Sequence, residues 1–150
     1  MNSLQLYALT LARVLMSLMF LVNGLGIISQ ATAAKELVEG GVPASVVPLL
    51  MLCARTLEVV AGCSLAFGIY PQPAAVALLV FLVPATLVGH PFWKAAGTAA
   101  YTPLLLNFLK NTSMTGGLLF MAATKAQPTL LPRFPRASRS KDREAPMREG

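Results

Sequence analysis

Charge is scarce in this chain: only 12% of its 150 residues are Asp, Glu, Lys or Arg, against about a quarter in soluble globular domains. A water-soluble fold of this length exposes much of its surface, and too few polar side chains are present to cover it. Metal-ligating residues are scarcer still. With one histidine, two cysteines and no Cys-x-x-Cys, the sequence offers no zinc site and no thiol redox motif. Cys53 and Cys63 stand ten residues apart on one expected helix, about 15 Å of rise, where a disulfide needs Cα atoms within about 7 Å. They read as small buried residues rather than a bridge. There is no Ser/His/Asp set, no nucleotide-binding glycine loop, no flavin fingerprint, no haem-attachment pattern and no iron–sulfur ligand set. No catalytic nucleophile is therefore assigned, no metal and no covalently bound cofactor is expected, and an electron donor for any redox reaction has to come from another protein.

Apolar residues, by contrast, make up 55% of the chain. They gather in four stretches, 6–28, 48–69, 73–89 and 104–123, each of at least the 17 or so residues needed to cross a bilayer as a helix. The expected fold is all-α: a polytopic transmembrane four-helix bundle over residues 1–124. A short helix from Ala31 to Glu39, stopped by Gly40, Gly41 and Pro43, is expected to lie along the interface between helices one and two. The connection Tyr70-Pro71-Gln72-Pro73 is so short that the helices it joins must be antiparallel neighbours. A secretory signal is the alternative for the first stretch, with Ala31-Thr32-Ala33 as its cleavage pattern. No Lys or Arg precedes the run, however, and Arg13 interrupts it.

The net charge of +6 would suit a nucleic-acid binder if it formed a patch on a folded domain. Instead Lys125, Arg133, Arg136, Arg139, Lys141, Arg143 and Arg148 crowd residues 125–150, a tail too polar to fold alone and expected to be disordered. Basic flanks stay cytoplasmic, so four spans of the cytoplasmic (inner) membrane are expected to leave both termini in the cytoplasm. The tail then faces anionic lipid or a soluble partner, and nucleic acid is not an expected ligand.

Arg13, Arg55, Glu58 and Lys110 fall within the expected spans, where each charge costs about 2.5–3.5 kcal/mol on insertion scales and must face protein or water. Glu58 lies near mid-membrane, Arg55 and Lys110 about 5 Å outward of it and Arg13 about 6 Å inward. Helical spacing aligns Arg13, Ser17, Phe20 and Gly24 on one face, Arg55, Glu58 and Gly62 on a second, and Asn107, Lys110, Asn111 and Met114 on a third. Three cations against one carboxylate leave a local excess of positive charge. Two readings follow. Either Glu58 pairs with one cation while the others reach the interface, or the cluster Arg13, Asn23, Arg55, Glu58, His90, Trp93, Asn107, Lys110 and Asn111 holds a ligand: an anion, a lipid head group, a partner's carboxylate or a quinone's carbonyl oxygens. His90 opens the run Gly89-His90-Pro91-Phe92-Trp93-Lys94, whose aromatics suit an interfacial belt.

These residues resemble the DoxX-like family of four-helix membrane proteins. The likeness runs from Arg13 to about Ala123. It rests on Arg13 with Phe20 and Asn23-Gly24, on Gly41-Val42-Pro43, and on Arg55-Thr56-Leu57-Glu58 with Gly62 and Gly68. Its sharpest parts are His90-Pro91-Phe92-Trp93 and Asn107-Phe108-Leu109-Lys110-Asn111, closed by Gly116-Gly117-Leu118-Leu119. The resemblance implies an integral membrane protein. Members have been linked to a thiosulfate:quinone oxidoreductase, to quinone stress responses and to membrane oxidoreductase complexes, so the expectation is a quinone-linked subunit of, or accessory to, such a system. One fold hosts several activities, and a non-enzymatic scaffold or a small-molecule or anion transporter, the latter as a homo-oligomer, are the alternatives.

Overall fold

The computed structural model describes residues 3–124; the basic tail at 125–150 lies outside the described residues. Five α-helices follow one another: α1 (Ser3–Gly24), α2 (Ala31–Glu39), α3 (Val47–Phe67), α4 (Pro71–Gly89) and α5 (Tyr101–Ala123), with one 3-10 turn, Phe92–Ala95, between α4 and α5. No strand occurs among the described residues. α1, α3 and α4 with its following turn are long and apolar enough to cross a membrane. α5 has the length, 23 residues, but Asn107, Lys110, Asn111, Thr112 and Ser113 in its middle keep it below the hydropathy of the other three.

Backbone chemistry, more than hydropathy, sets the ends. Apolar residues continue to Ile28, yet α1 stops at Gly24 because Gly26 takes φ +73° and Ile27 N–H turns back to the Val22 carbonyl at 3.1 Å, a left-handed glycine stop. Gly68, at φ 70°, ends α3 in the same way, with Gly68 N–H on Leu65 O and Ile69 N–H on Ser64 O. α4 starts two residues earlier than its apolar pattern, at Pro71, since proline suits a first helical position whose N–H has no partner.

α1 packs along α3, α3 along α4 and α4 along α5, while α1 and α5 meet only narrowly, where Met16 lies on Gly117. The core is Phe20, Ala61, Leu65, Ala74, Ala75, Leu78, Leu82 and Leu118. Its alanines, together with Gly62, where an added Cβ would stand 3.0 Å from Leu21 Cδ2, let backbones approach as closely as packing in lipid requires. The buried face of α1 is Arg13, Ser17, Phe20 and Gly24, the face that helical spacing picks out. Large apolar side chains point outward on every long helix, among them Leu11, Leu18, Leu52, Val60, Val80, Leu87, Leu106 and Phe120. Such a surface suits hydrocarbon rather than water. α2 lies across the end of the bundle where α1 and α4 stop, touching α3 and α4; we call this the α2 end. Cys53, expected to be buried, is exposed on α3, and Cys63 is half-buried.

Candidate functional site

Two polar groups form at the α2 end, on different helix pairs. The first joins α1 to α3. Arg55 Nε donates to the Gly24 carbonyl at 3.2 Å, placing a cation at the negative end of the α1 dipole. Its guanidinium lies over Gly26, on the spot a Cβ there would occupy. Glu58, one turn further along α3, is 3% exposed, and the side chains of Asn23 and Gln30 reach its carboxyl. Gln30 Nε2 also donates to the Asn23 carbonyl at 3.1 Å. Arg55 acts on Glu58 through its field, but among the described residues no carboxylate comes within 4 Å of it. Among the described residues, then, Arg55 makes no contact ion pair with Glu58, and the amides of Asn23 and Gln30 are the side chains beside its carboxyl. Arg55 itself is exposed, on the rim of the interior rather than within it.

Beside this group an open groove of about 570 Å³ runs along α3, lined by Gly24, Pro48, Met51, Leu52, Arg55, Thr56, Val59 and Val60. Arg55 is the one charged residue in that lining.

The second group joins α4 to α5. His90 caps α4, its N–H on Thr86 O at 3.0 Å, and its half-buried ring has no hydrogen-bond partner for Nδ1 among the described residues. Lys110 is close enough for its charge to act on that ring, and Lys110 Nζ donates to Asn107 Oδ1 at 3.1 Å. Around them stands an aromatic cluster: Phe92 meets Trp93, Tyr101 and Phe108 edge-on at 5.2, 6.0 and 5.1 Å, and Trp93 meets Phe108 at 6.1 Å. Edge-to-face rings at these separations attract, so the His90-Pro91-Phe92-Trp93 run is pinned onto the start of α5.

Of the nine residues singled out from sequence, Asn23, Arg55 and Glu58 gather in the first group and His90, Trp93, Asn107 and Lys110 in the second. Asn111 is half-buried one position beyond Lys110. Arg13 is buried in α1, eleven residues before Gly24 and so about 16 Å along the axis from the α2 end; it belongs to neither group. Two polar residues escaped the sequence reading. Gln30 looks like a loop residue, and nothing in the pattern says that the chain folds back over Glu58 after Gly26. Glu36 looks like the polar side of a surface helix. Its Oε2 nevertheless faces α4, 3.2 Å from where a Gly89 Cβ would stand. Burial, and after it the neighbouring charge of Glu39, push the Glu36 carboxyl above its ordinary pKa. Among the described residues no group of three or more His, Cys, Asp or Glu is placed to hold a metal.

The DoxX family model matches residues 8–91, more than half of the chain and the whole of α2, α3 and α4. This chain belongs to the DoxX family. Two Escherichia coli K12 proteins are similar to it. Inner membrane protein YphA is 32% identical over 76 residues, covering 51% of this chain and 54% of YphA. Inner membrane protein YqjF is 29% identical over 125 residues, covering 83% of this chain and 88% of YqjF. The chain thus aligns with only about half the length of the first and with most of the second. No solved structure matches the chain. With three helices apolar enough to span and relatives in the inner membrane, this DoxX protein is an integral membrane protein in contact with lipid.

Proposed function

We propose that this DoxX protein holds a quinone head group at the α2 end of α4 and α5, as a subunit of, or accessory to, a membrane oxidoreductase. The observation that carries the reading is the second polar group. Lys110, Asn107 and His90 supply hydrogen-bond donors beside a cluster of four aromatic rings, a combination suited to a flat ring bearing two carbonyl oxygens. The chain's part is to bind and orient that ring; the two electrons and two protons that turn a quinone into a quinol come from a partner, membrane-bound or soluble.

The arrangement in the bilayer belongs to the same proposal. Gln72, at the start of α4, donates to the carbonyl of Thr124 just past α5, and Phe92, just past α4, packs on Tyr101 and Phe108 at the start of α5. α5 is therefore level with α4 at both ends, and if one crosses, so does the other. Four spans with the basic tail held inside put both termini in the cytoplasm and the α2 end outside. There α2 lies in the interface, with Lys35 and Glu39 paired at 3.6 Å on its exposed side.

Trp93 is the only tryptophan, so its emission reports on this site. Adding a short-chain quinone to the full-length protein in mild detergent is expected to quench it along a saturating curve, and Lys110→Met should weaken that binding about tenfold, the loss of one charge-assisted hydrogen bond. Lipid extracts of the wild type should contain quinone. Linear, collision-like quenching together with quinone-free extracts would refute the reading.

A scaffold role is the second reading, favoured by Glu58: its carboxyl is engaged by Asn23 and Gln30, as in a structural joint between α1 and α3. Under that reading Glu58→Gln lowers stability or assembly and leaves activity per folded molecule unchanged.

A further inference from the structure

The groove along α3 is separate from the aromatic site, and its chemistry is two-sided. Pro48, Leu52, Thr56 and Val60 recur at helical spacing along one exposed strip, with Met51 and Val59 half-buried beneath and the Thr56 hydroxyl turned back onto Leu52 O at 2.8 Å. The strip therefore presents an apolar surface. From Pro48 to Val60 it spans twelve residues, about 18 Å. The single charge, on Arg55, sits about midway along it, beside the end of α1. The Arg55 backbone lies inside the strip, but the side chain runs back towards the α2 end, to Gly24 O and over Gly26. Of the five guanidinium N–H donors, Nε–H is taken by Gly24; the other four are on Nη1 and Nη2, with no carboxylate within 4 Å among the described residues.

We propose that this groove is a binding site for one anionic phospholipid, its phosphate held by the Arg55 guanidinium at the α2 end and an acyl chain lying along Leu52, Thr56 and Val60. Charge complementarity selects the occupant. A second copy of this chain would bring another Arg55 to the contact and no exposed carboxylate from α3, whereas a guanidinium matches phosphate oxygens in its fixed fork geometry. Anionic lipid near this face would then also hold α1 against α3, because the residue that binds the phosphate is the one that caps α1.

The test is the thermal stability and native mass spectrum of the full-length protein in mild detergent, titrated with phosphatidylglycerol, phosphatidylcholine or inorganic phosphate. Phosphatidylglycerol should raise Tm and add one mass increment per chain, phosphatidylcholine should do so at least tenfold less effectively, and phosphate alone should do neither. Arg55→Gln should weaken phosphatidylglycerol binding about tenfold and Arg55→Lys should restore part of it. Leu52→Trp or Val60→Trp, each at a side chain 63% exposed, should block the acyl groove while leaving Tm in lipid-free detergent unchanged. This separates loss of the site from failure to fold. Equal response to the two lipids, stabilisation by phosphate alone, binding that survives both Arg55→Gln and Val60→Trp, or a dimer that Val60→Trp dissociates would overturn the proposal.

Discussion

The contact between α1 and α3 makes a quantitative demand at Gly24. An ideal Cβ built there stands 2.8 Å from Val59 Cγ2, 3.0 Å from the Arg55 carbonyl oxygen and 3.0 Å from Glu58 Cβ. The valine methyl can rotate away, but the carbonyl is part of the α3 backbone and cannot move without the helix. Gly24→Ala must therefore push α1 and α3 apart by a few tenths of an ångström along the interface that also holds Arg55 Nε on Gly24 O. Overpacking of a tight contact costs about 1–3 kcal/mol, and about 1 kcal/mol more is at stake if that hydrogen bond is stretched. Gly116 is the internal control. A Cβ there meets nothing within 4 Å, so Gly116→Ala only removes the entropic penalty of a mid-helix glycine and should stabilise by about 0.5–1 kcal/mol. The same one-carbon addition is thus expected to act with opposite sign at two positions. Thermal unfolding in one detergent, followed by helical circular dichroism and by recovery of monodisperse protein after heating, should place Gly24→Ala several degrees below the wild type and Gly116→Ala slightly above it. A Gly24→Ala protein as stable as the wild type would refute the close approach of α1 to α3 on which the first polar group depends.

Three further outcomes follow from the same geometry. Phe92→Ala removes three edge-to-face ring contacts of about 0.5–1.5 kcal/mol each; it should free the 3-10 turn, and Trp93 emission should shift red and become more accessible to acrylamide, whereas an unchanged spectrum would show that the cluster does not pin the turn. Glu36 titrates above its ordinary value because of burial and the charge of Glu39, so the folded state binds its proton more tightly than the unfolded state does. Its contribution to stability is then greatest below the ordinary carboxyl pKa of about 4.3 and is lost as pH rises through the raised value; Glu36→Gln should flatten the fall of Tm between about pH 4 and 8, and parallel wild-type and variant curves would count against the burial of this carboxyl. For topology, a fluorescent protein fused to the C-terminus should light up and alkaline phosphatase fused there should stay inactive, while an active phosphatase would reverse the orientation or remove the fourth span.

Sequence periodicity carried much of this fold because in lipid the polar residues must find the interior. The alignment of Arg13, Ser17, Phe20 and Gly24 gave the buried face of α1, and the short connection at Tyr70 gave the contact of α3 with α4. What periodicity does not carry is which interior a residue reaches. Arg55 and Glu58 share a helical face in projection, yet the long arginine leaves it for the α1 carbonyl while the shorter glutamate stays buried. Gln30 and Glu36 were illegible for a related reason: each is placed by a chain reversal, after Gly26 and along α2, that no helical repeat encodes. The split of one expected cluster into two groups follows from the packing order, in which α3, carrying Arg55 and Glu58, lies along α1 while α5, carrying Asn107 and Lys110, lies along α4.

Several polar residues of α5 ask less of their surroundings than their hydropathy implies, and the hydrogen bonds show why. A per-residue sum charges Thr112, Ser113 and Thr115 as polar groups needing water, but each hydroxyl donates to a carbonyl one turn back: Thr112 to Phe108 O at 2.9 Å, Ser113 to Leu109 O at 3.0 Å and Thr115 to Asn111 O at 2.9 Å. A hydroxyl satisfied within its own helix asks little of its surroundings. Asn107 and Asn111 are half-buried on the inward side with Met114, so their amides do not face hydrocarbon fully. That leaves Lys110 as the one expensive residue, and its ammonium is held by Asn107 towards the α2 end, next to His90. With most of its polar atoms satisfied internally and its ends level with those of α4, α5 can enter the bilayer as the second arm of a hairpin whose first arm is the more apolar. The proposal of a fourth span rests on that partition of polar groups rather than on the composition of α5.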